Sequence, residues 1–408
     1  MTSNRANGAN GHAHDVLTDD VMAGFDRPTE GARGLPNAAF TSERFLELER
    51  STLFARSWVF AGLVSDIANR GDARPVDVAG QSLILSHAQD GNIHVFFNVC
   101  PHRGARLLTE PVARQPVMTC PYHAWTYGMD GALRNRPNYD GPDRHNDGRN
   151  ADGERPCLFP VRSAVWHDWI FVNLDGKAEA FDDYIAGGAD RFDGYDLGAF
   201  RCAHRMTFSF GCNWKLAVEN YCDNYHVFAV HPALHSVMSW DEASRRPMDV
   251  AGHHLSTEYW FKNVDEGQVG NKSGVGLPKP PRLAEEYHGR MVYSALFPNL
   301  AINAYPANVQ VVLFEPVSAG ETNMHMWFYF AGDAAEAPEF EEARETLYAD
   351  WSQLNFEDED ICRRLQEGRQ CDGYDGGRLA PYWDSGTIHF HRQIAHAVRG
   401  EGAFANGR

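Results

Sequence analysis

No stretch of this 408-residue chain approaches the ~18 consecutive apolar residues of a membrane-crossing helix. The N-terminus also lacks the basic-then-apolar layout of a secretory signal. Eight cysteines are too few, and too irregularly spaced, to form a disulfide framework in a chain of this length. Positive charge is scarce as well: 37 Lys and Arg against 55 Asp and Glu leave a net charge of −18. That balance argues against nucleic acid or an anionic membrane surface as partner. These absences predict a cytoplasmic protein with reduced thiols. Apolar and aromatic content are ordinary for a globular chain, and the length suffices for two domains with buried cores. No internal repeat or low-complexity tract is present.

Two of the cysteines stand out. Cys100-Pro101-His102-Arg103-Gly104 is followed, seventeen residues after His102, by Cys120-Pro121-Tyr122-His123-Ala124-Trp125. Each half offers one thiolate and one imidazole from a single short loop. Two sulfur and two nitrogen ligands suit either a structural zinc or a two-iron cluster in which two histidines replace two cysteines on one iron. The spacing favours the cluster, because each loop can give its cysteine to one iron and its histidine to the other. Gly104 lets the first loop turn tightly. The pattern resembles the Rieske [2Fe–2S] motif.

The chain divides into three parts on composition and period. Residues 1–38, rich in Gly, Ala, Asn and Asp, read as a mobile leader. Residues 39–174 form the cluster domain with a helical lead-in, capped by Ser42 and carrying Phe45, Leu46, Leu48, Leu53 and Phe54 at helical spacing. Leu83–Leu85, an Asp90-Gly91 turn and Ile93–Val99 predict a hairpin that delivers the chain into Cys100. Val117–Cys120 and Trp125–Tyr127 predict strands around the second loop. Residues 138–156 read as a surface excursion, and Val165–Leu174 as a closing strand. Residues 175–408 form a second domain. There, 263–281 is a long loop, a solvated connection or a lid. Ala301–Tyr305, Val309–Phe314 and Met324–Phe330 read as antiparallel strands.

A second metal site is written into that domain. Asn213 to His226 has helical periodicity, and Asp223 and His226, three apart, share a face. His231 follows just before Pro232, where the helix ends. Two histidines beside a carboxylate suggest a facial triad for Fe(II) with positions open for O₂. The third ligand lies in Glu357-Asp358-Glu359-Asp360. On the helix predicted over 340–366, Asp358 falls about 20° from the apolar stripe of Leu347, Trp351, Leu354, Ile361 and Leu365, whereas Asp360 falls about 140° away. A carboxylate in an apolar stripe is costly unless paired, so Asp358 is selected and the rest of the cluster is read as a solvated face.

These motifs together resemble the catalytic α subunit of the Rieske non-heme iron oxygenases. The carriers are the two Cys/His loops, Asn213-Trp214-Lys215, Glu219-Asn220, Asp223-x2-His226-x4-His231 and Glu357-Asp358-x2-Ile361-Cys362. The resemblance implies an α+β chain: an all-β Rieske domain, then a helix-grip domain with an antiparallel sheet. It implies a [2Fe–2S] cluster on Cys100, His102, Cys120 and His123, and mononuclear Fe(II) on His226, His231 and Asp358. Asp223 corresponds to the family's bridging carboxylate between the cluster of one subunit and the iron of the next, and Asn220 to a residue near the iron. Implied partners are a flavin-containing reductase fed by NAD(P)H, with or without a ferredoxin, and two further copies in a trimer, in some members with a β subunit. The implied activity is O₂-dependent hydroxylation of a small organic molecule. The many aromatics of the second domain lean this expectation towards an aromatic substrate, with demethylation or hydroxylation of a quaternary ammonium or methoxy compound as the alternative. A pure electron carrier would need only residues 100–123, and the second triad argues against it.

Overall fold

Between residues 59 and 173 the β-branched and aromatic runs pair as short antiparallel hairpins. The computed structural model describes residues 13–25, 27–28, 31–146, 149–150, 153, 156–237, 246–260 and 276–400. Most of the predicted loop 263–281 lies outside the described residues. The chain forms two units, one of Phe54–Phe181 and one joining Met1–Leu53 to Asp182–Arg408. The helical lead-in therefore groups with the later unit, and the second boundary falls at Phe181 rather than at residue 174.

The first unit holds nine strands among the described residues. They are β1 (Val59–Leu63), β2 (Ala73–Val78), β3 (Gln81–His87), β4 (Ile93–Phe97), β5 (Val117–Thr119), β6 (Thr126–Gly128), β7 (Leu133–Asn135), β8 (Arg162–Trp166) and β9 (Trp169–Asn173). They make three sheets, ordered β1-β9-β8, β2-β3-β4 and β5-β6-β7. The predicted hairpin before Cys100 is β3 with β4, Leu85 standing opposite Val95. Val165–Leu174, read as one strand, is instead the end of β8 and all of β9, folded back at His167 with φ +55°. Its residues do not alternate between core and solvent, because β9 is buried along its whole length. Ile84, Phe96, Leu107, Met118, Tyr127 and Leu133 pack around Cys100 and Cys120 in one core.

The second unit carries helices α1 (Asp19–Phe25), α2 (Ala38–Thr41), α3 (Glu43–Glu49), α4 (Phe181–Ala189), α5 (Trp214–Cys222), α6 (Val227–Val230), α7 (Pro232–Val237), α8 (Glu341–Gly368) and α9 (Ser385–Arg399). Its strands are β10 (Phe200–Phe210), β11 (Asp249–Ala251), β12 (His254–Trp260), β13 (Arg290–Leu296), β14 (Leu300–Ala304), β15 (Asn308–Ser318) and β16 (Glu321–Ala331). They form one antiparallel sheet ordered β10-β16-β15-β14-β13-β12-β11. In register, Tyr293 faces Asn303, Asn303 faces Gln310, and Val312 faces Met326. Directly paired residues share a face, so Tyr259, Tyr293, Asn303, Val312, Phe314, Met324 and Met326 all point to one side.

Part of the expected leader is ordered structure. α1 packs on α9, Ala13, Leu17 and Phe25 are buried, and Arg399 Nη1 donates to Leu17 O and Asp19 Oδ1. With Val16 also buried, these few apolar residues suffice because α9 packs against them, which composition alone does not reveal. Ser42 caps α3 as predicted, accepting from Phe45 N. Among the described residues no helix is long and apolar enough to cross a membrane, and all eight cysteines are free thiols.

The two Cys/His loops have the same backbone wiring. Cys100 N donates to Ala105 O and Gly104 N to Cys100 O; Cys120 N donates to Trp125 O and Ala124 N to Cys120 O. The residue four after each cysteine has positive φ: +77° at Gly104 and +54° at Ala124. Glycine takes this conformation freely, whereas alanine is strained in it. A Cβ at position 104 meets nothing within 4 Å, so the backbone alone sets the cost there. Gly104→Ala should destabilise the cluster unit by about 1 kcal/mol. Ala124→Gly should leave stability equal or raise it by up to roughly 1 kcal/mol. Denaturant melts of the cluster-loaded protein measure both; a stabilising Gly104→Ala would contradict the assignment.

Candidate metal centres

Helix α5 starts at Asn213, whose side-chain oxygen accepts from Lys215 N, and ends at Cys222. The predicted helix through His226 is thus broken. Asp223 is extended, and its Oδ1 accepts from Tyr225 N at 2.7 Å. A new short helix, α6, begins after His226 and ends at His231. The Asp/Asn-rich run from Asn220 to Asn224 supplies side chains that compete with helical hydrogen bonds. The break lets the chain bend so that both imidazoles face α8.

There they meet Asp358. His231 Nε2 lies 2.9 Å from Asp358 Oδ1, His226 Nε2 lies 3.2 Å from His231 Nε2, and His226 Nε2 lies 3.5 Å from Asp358 Oδ1. Adjacent ligands on a six-coordinate ion with bonds of about 2.1 Å stand about 3 Å apart, and opposed ligands about 4.2 Å. The three donors therefore fit one face of a single ion. Burial would raise the Asp358 carboxyl, but hydrogen bonds from His226 and His231 outweigh it and hold it at about 2. Burial would lower His226, yet the carboxylates of Asp223 and Asp358 push it up to about 9. The site attracts positive charge. Asp360, by contrast, is exposed and paired with Arg363 and Arg364.

Around the triad, Asn220 Nδ2 donates to Asp358 Oδ1 at 2.7 Å. Asp223 Oδ2 stands 3.4 Å from His226 Nδ1 without hydrogen-bond geometry. The two residues are near each other as expected, but through the turn rather than along a helix face.

In the first unit, Cys100 and Cys120 are buried, and Cys100 Sγ lies 3.1 Å from the Tyr127 hydroxyl. Burial pushes the Cys100 thiol up. The His102 and His123 rings lie 4.7 Å apart, and His102 stacks flat on Trp125 at 4.5 Å. The Arg136 guanidinium, held by Asn146 and Asn150, sits 5.4 Å from the Trp125 ring. His123 Nδ1 is buried with no hydrogen-bond partner. Two adjacent buried free thiols and an orphaned imidazole nitrogen fit a group that takes two sulfur and two nitrogen ligands. Among the described residues, the triad is the set of three donors gathered within 4.8 Å.

Residues 57–144 match the Rieske [2Fe-2S] domain, and residues 195–400 match the ring hydroxylating alpha subunit (catalytic domain) family. The chain belongs to the Rieske non-heme iron oxygenases, as a catalytic α subunit. It is an oxidoreductase of that family, with a [2Fe–2S] cluster in one unit and a mononuclear iron in the other. It is 27% identical over 378 residues to the carnitine monooxygenase oxygenase subunit of Escherichia coli strain K12, covering 90% of this chain and 94% of that one. The glycine betaine monooxygenase oxygenase subunit of Pseudomonas aeruginosa is 25% identical over 395 residues, covering 89% of each. A solved quaternary ammonium Rieske monooxygenase shares the fold with a TM-score of 0.75, at 24% identity over 91% of this chain and 97% of that one. The expectation of an aromatic substrate finds no support in these relatives, whose names place their chemistry on quaternary ammonium compounds.

In this oxygenase the triad opens into a cavity between α5, α8 and the sheet, lined by Tyr221, Tyr259, Tyr293, Phe314, Met326 and Trp351 among others. Its position in the Glu-Asp cluster places Glu357 on a solvated face. Its Oε2 instead lies 2.8 Å from His231 Nδ1. Helical phase could not reveal this, since the partner comes from another element. The stripe reading also overreached at Leu365, which is 42% exposed.

The contrast between the two aspartates is testable. Asp358→Ala should lose the mononuclear iron and keep the cluster's visible absorption. Asp360→Ala should retain both, because it breaks only solvent-facing ion pairs with Arg363 and Arg364 that touch no metal donor. Iron per chain should read near two and near three, respectively; the reverse pattern would remove Asp358 from the ligand set.

Proposed function

We propose that this oxygenase hydroxylates a carbon attached to the nitrogen of a small quaternary ammonium compound. The observation that carries this reading is the wall of tyrosines beside the triad. Tyr259 and Tyr293 meet edge to face, with ring centroids 5.6 Å apart, and Tyr221 and Tyr293 are tilted with centroids 6.0 Å apart. Electron-rich ring faces attract a methylated ammonium that no hydrogen bond can hold. Burial keeps these phenols protonated and so uncharged. Tyr221 donates to Asn303 Oδ1 at 2.5 Å, and the Tyr293 and Tyr305 hydroxyls bond each other, so the rings are fixed in place. The names of the relatives support the same substrate class.

His226, His231 and Asp358 would hold the iron, and Cys100, His102, Cys120 and His123 the cluster. When bound, the two centres supply single electrons and the activation of O₂. The protein's own side chains orient and exclude. Asn220 holds the Asp358 carboxylate by Oδ1, while Phe314, Met324, Met326 and Trp351 keep bulk water from the reacting carbon. Hydroxylation consumes one O₂, two electrons and two protons, leaving a hydroxylated carbon and one water. A hydroxyl on the carbon bonded to an ammonium nitrogen lets the C–N bond break, giving an amine and an aldehyde. A separate flavin-containing reductase, fed by NAD(P)H, would supply the electrons. Trimeric assembly would bring a neighbour's cluster to Asp223, which lies between His226 and solvent at 29% side-chain exposure.

Two measurements test this. With a surrogate reductase, methylated ammonium compounds should drive O₂ uptake matched one-to-one by amine and aldehyde. Aromatic ring compounds should give no hydroxylated product. Turnover of naphthalene-like rings without turnover of any ammonium compound would reverse the assignment. Asp223→Asn should keep both metals and a reducible cluster, yet slow reoxidation of a pre-reduced cluster in a single turnover by at least tenfold. An unchanged rate would rule out the bridging role.

A further inference from the structure

We propose that Glu357 is a positioning residue for the mononuclear iron, fixing the tautomer and ring plane of His231. The inference rests on the reading of His226, His231 and Asp358 as the ligand set. His231 is almost wholly buried, and each of its ring nitrogens faces a carboxylate. Nε2 lies 2.9 Å from Asp358 Oδ1, and Nδ1 lies 2.8 Å from Glu357 Oε2. A neutral imidazole has one N–H and one lone pair. For Nε2 to offer its lone pair to a metal, the proton must sit on Nδ1, and Glu357 is the acceptor placed there.

Glu357 is itself held. Its Oε1 accepts from Gln353 Nε2 at 3.0 Å, one turn earlier on α8. Neighbouring residues on a helix point about 100° apart, so Glu357 and Asp358 diverge and cannot both meet the same edge of a partner. They reach opposite edges of one ring because α6 packs on α8 and its last turn delivers His231 between them. The outer side of Glu357 opens to a surface groove with Val230, Phe356, Ile361 and Arg364. The Glu357 side chain keeps 28% of its surface exposed, against 13% for Asp358. An anionic acceptor on the far nitrogen also makes the imidazole a stronger electron donor.

The test uses full-length protein with its cluster intact and the mononuclear site emptied by a chelator. Co(II) affinity and the Co(II) ligand-field bands are measured. Glu357→Leu should weaken Co(II) about 10- to 100-fold, the usual effect of removing such a partner. Glu357→Gln keeps an acceptor but loses the charge, so it should weaken binding only severalfold and shift the bands. Wild-type affinity in Glu357→Leu overturns the proposal. Should that variant fail to fold, unchanged bands and affinity in Glu357→Gln overturn it equally. Asp358→Ala separates the two readings. If it also binds Co(II) like the parent, the ligand set itself is wrong; if it loses the metal while Glu357→Leu does not, the ligands stand and the positioning role falls.

Discussion

A carboxylate facing two imidazoles in a cavity walled by Phe314, Met326 and Trp351 sets the terms for everything around it. Buried charge is tolerated only where it is paired and each polar atom has a partner. Asp358 has Asn220 and both histidines. His231 has Glu357 on its far nitrogen, and His226 has Asp223 nearby. The polar layer thus extends outward from three donors to three further side chains drawn from α5, the turn after it, and α8. The rest of the cavity can then be largely apolar and aromatic.

Holding α5 steady is the second requirement, and the sequence meets it with buried ion pairs. Lys215 Nζ bonds Glu49 Oε1 at 2.8 Å and the Trp214 indole bonds Glu49 Oε2 at 3.0 Å, with both charged side chains fully buried. Burial pushes Glu49 up and Lys215 down, each opposed by the other. Further along the helix, Glu219 stands 3.8 Å from the Arg369 guanidinium and accepts from His391 Nε2 of α9 at 2.7 Å, and burial is outweighed there by His391, Arg369 and Lys215. Breaking one partner of such a pair typically costs about 3–5 kcal/mol. The pairs specify where α3, α5 and α9 meet. This explains why the lead-in helix belongs with the later unit although it precedes the cluster loops in sequence.

What could be read from the sequence follows how local each feature is. The cluster loops span 24 residues, and their backbone turns and flanking strands are local, so they were legible. That Asp358 and not Asp360 faces the two histidines was legible because Asp360 lies on the opposite face of one long helix, and a single helix has a computable phase. Glu357 was not, since its partner arrives from α6, and phase within α8 says nothing about what crosses it. The helix break after Cys222 was hidden by a helical periodicity that continues to His226 although the backbone helix does not. The order of residues 13–25 was hidden because few apolar residues are enough when α9 packs against them.

The two centres also differ in what sequence change can do to them. In the cluster loops the same backbone bonds are made by Gly104 in one copy and Ala124 in the other. The wiring, not the side chain, is therefore the constraint outside the four ligands, and drift there is limited by φ. At the triad the constraint is the crossing of α6 over α8, and the sheet only presents a wall. Tyr259, Tyr293, Asn303, Phe314 and Met326 contribute side chains to that wall from five different strands in fixed register. A substitution at any of them changes the shape seen by a substrate without moving a ligand, since every strand is locked by its neighbours' backbone bonds. The shape of the cavity can thus change at the sheet positions while the crossing of α6 over α8 stays as it is.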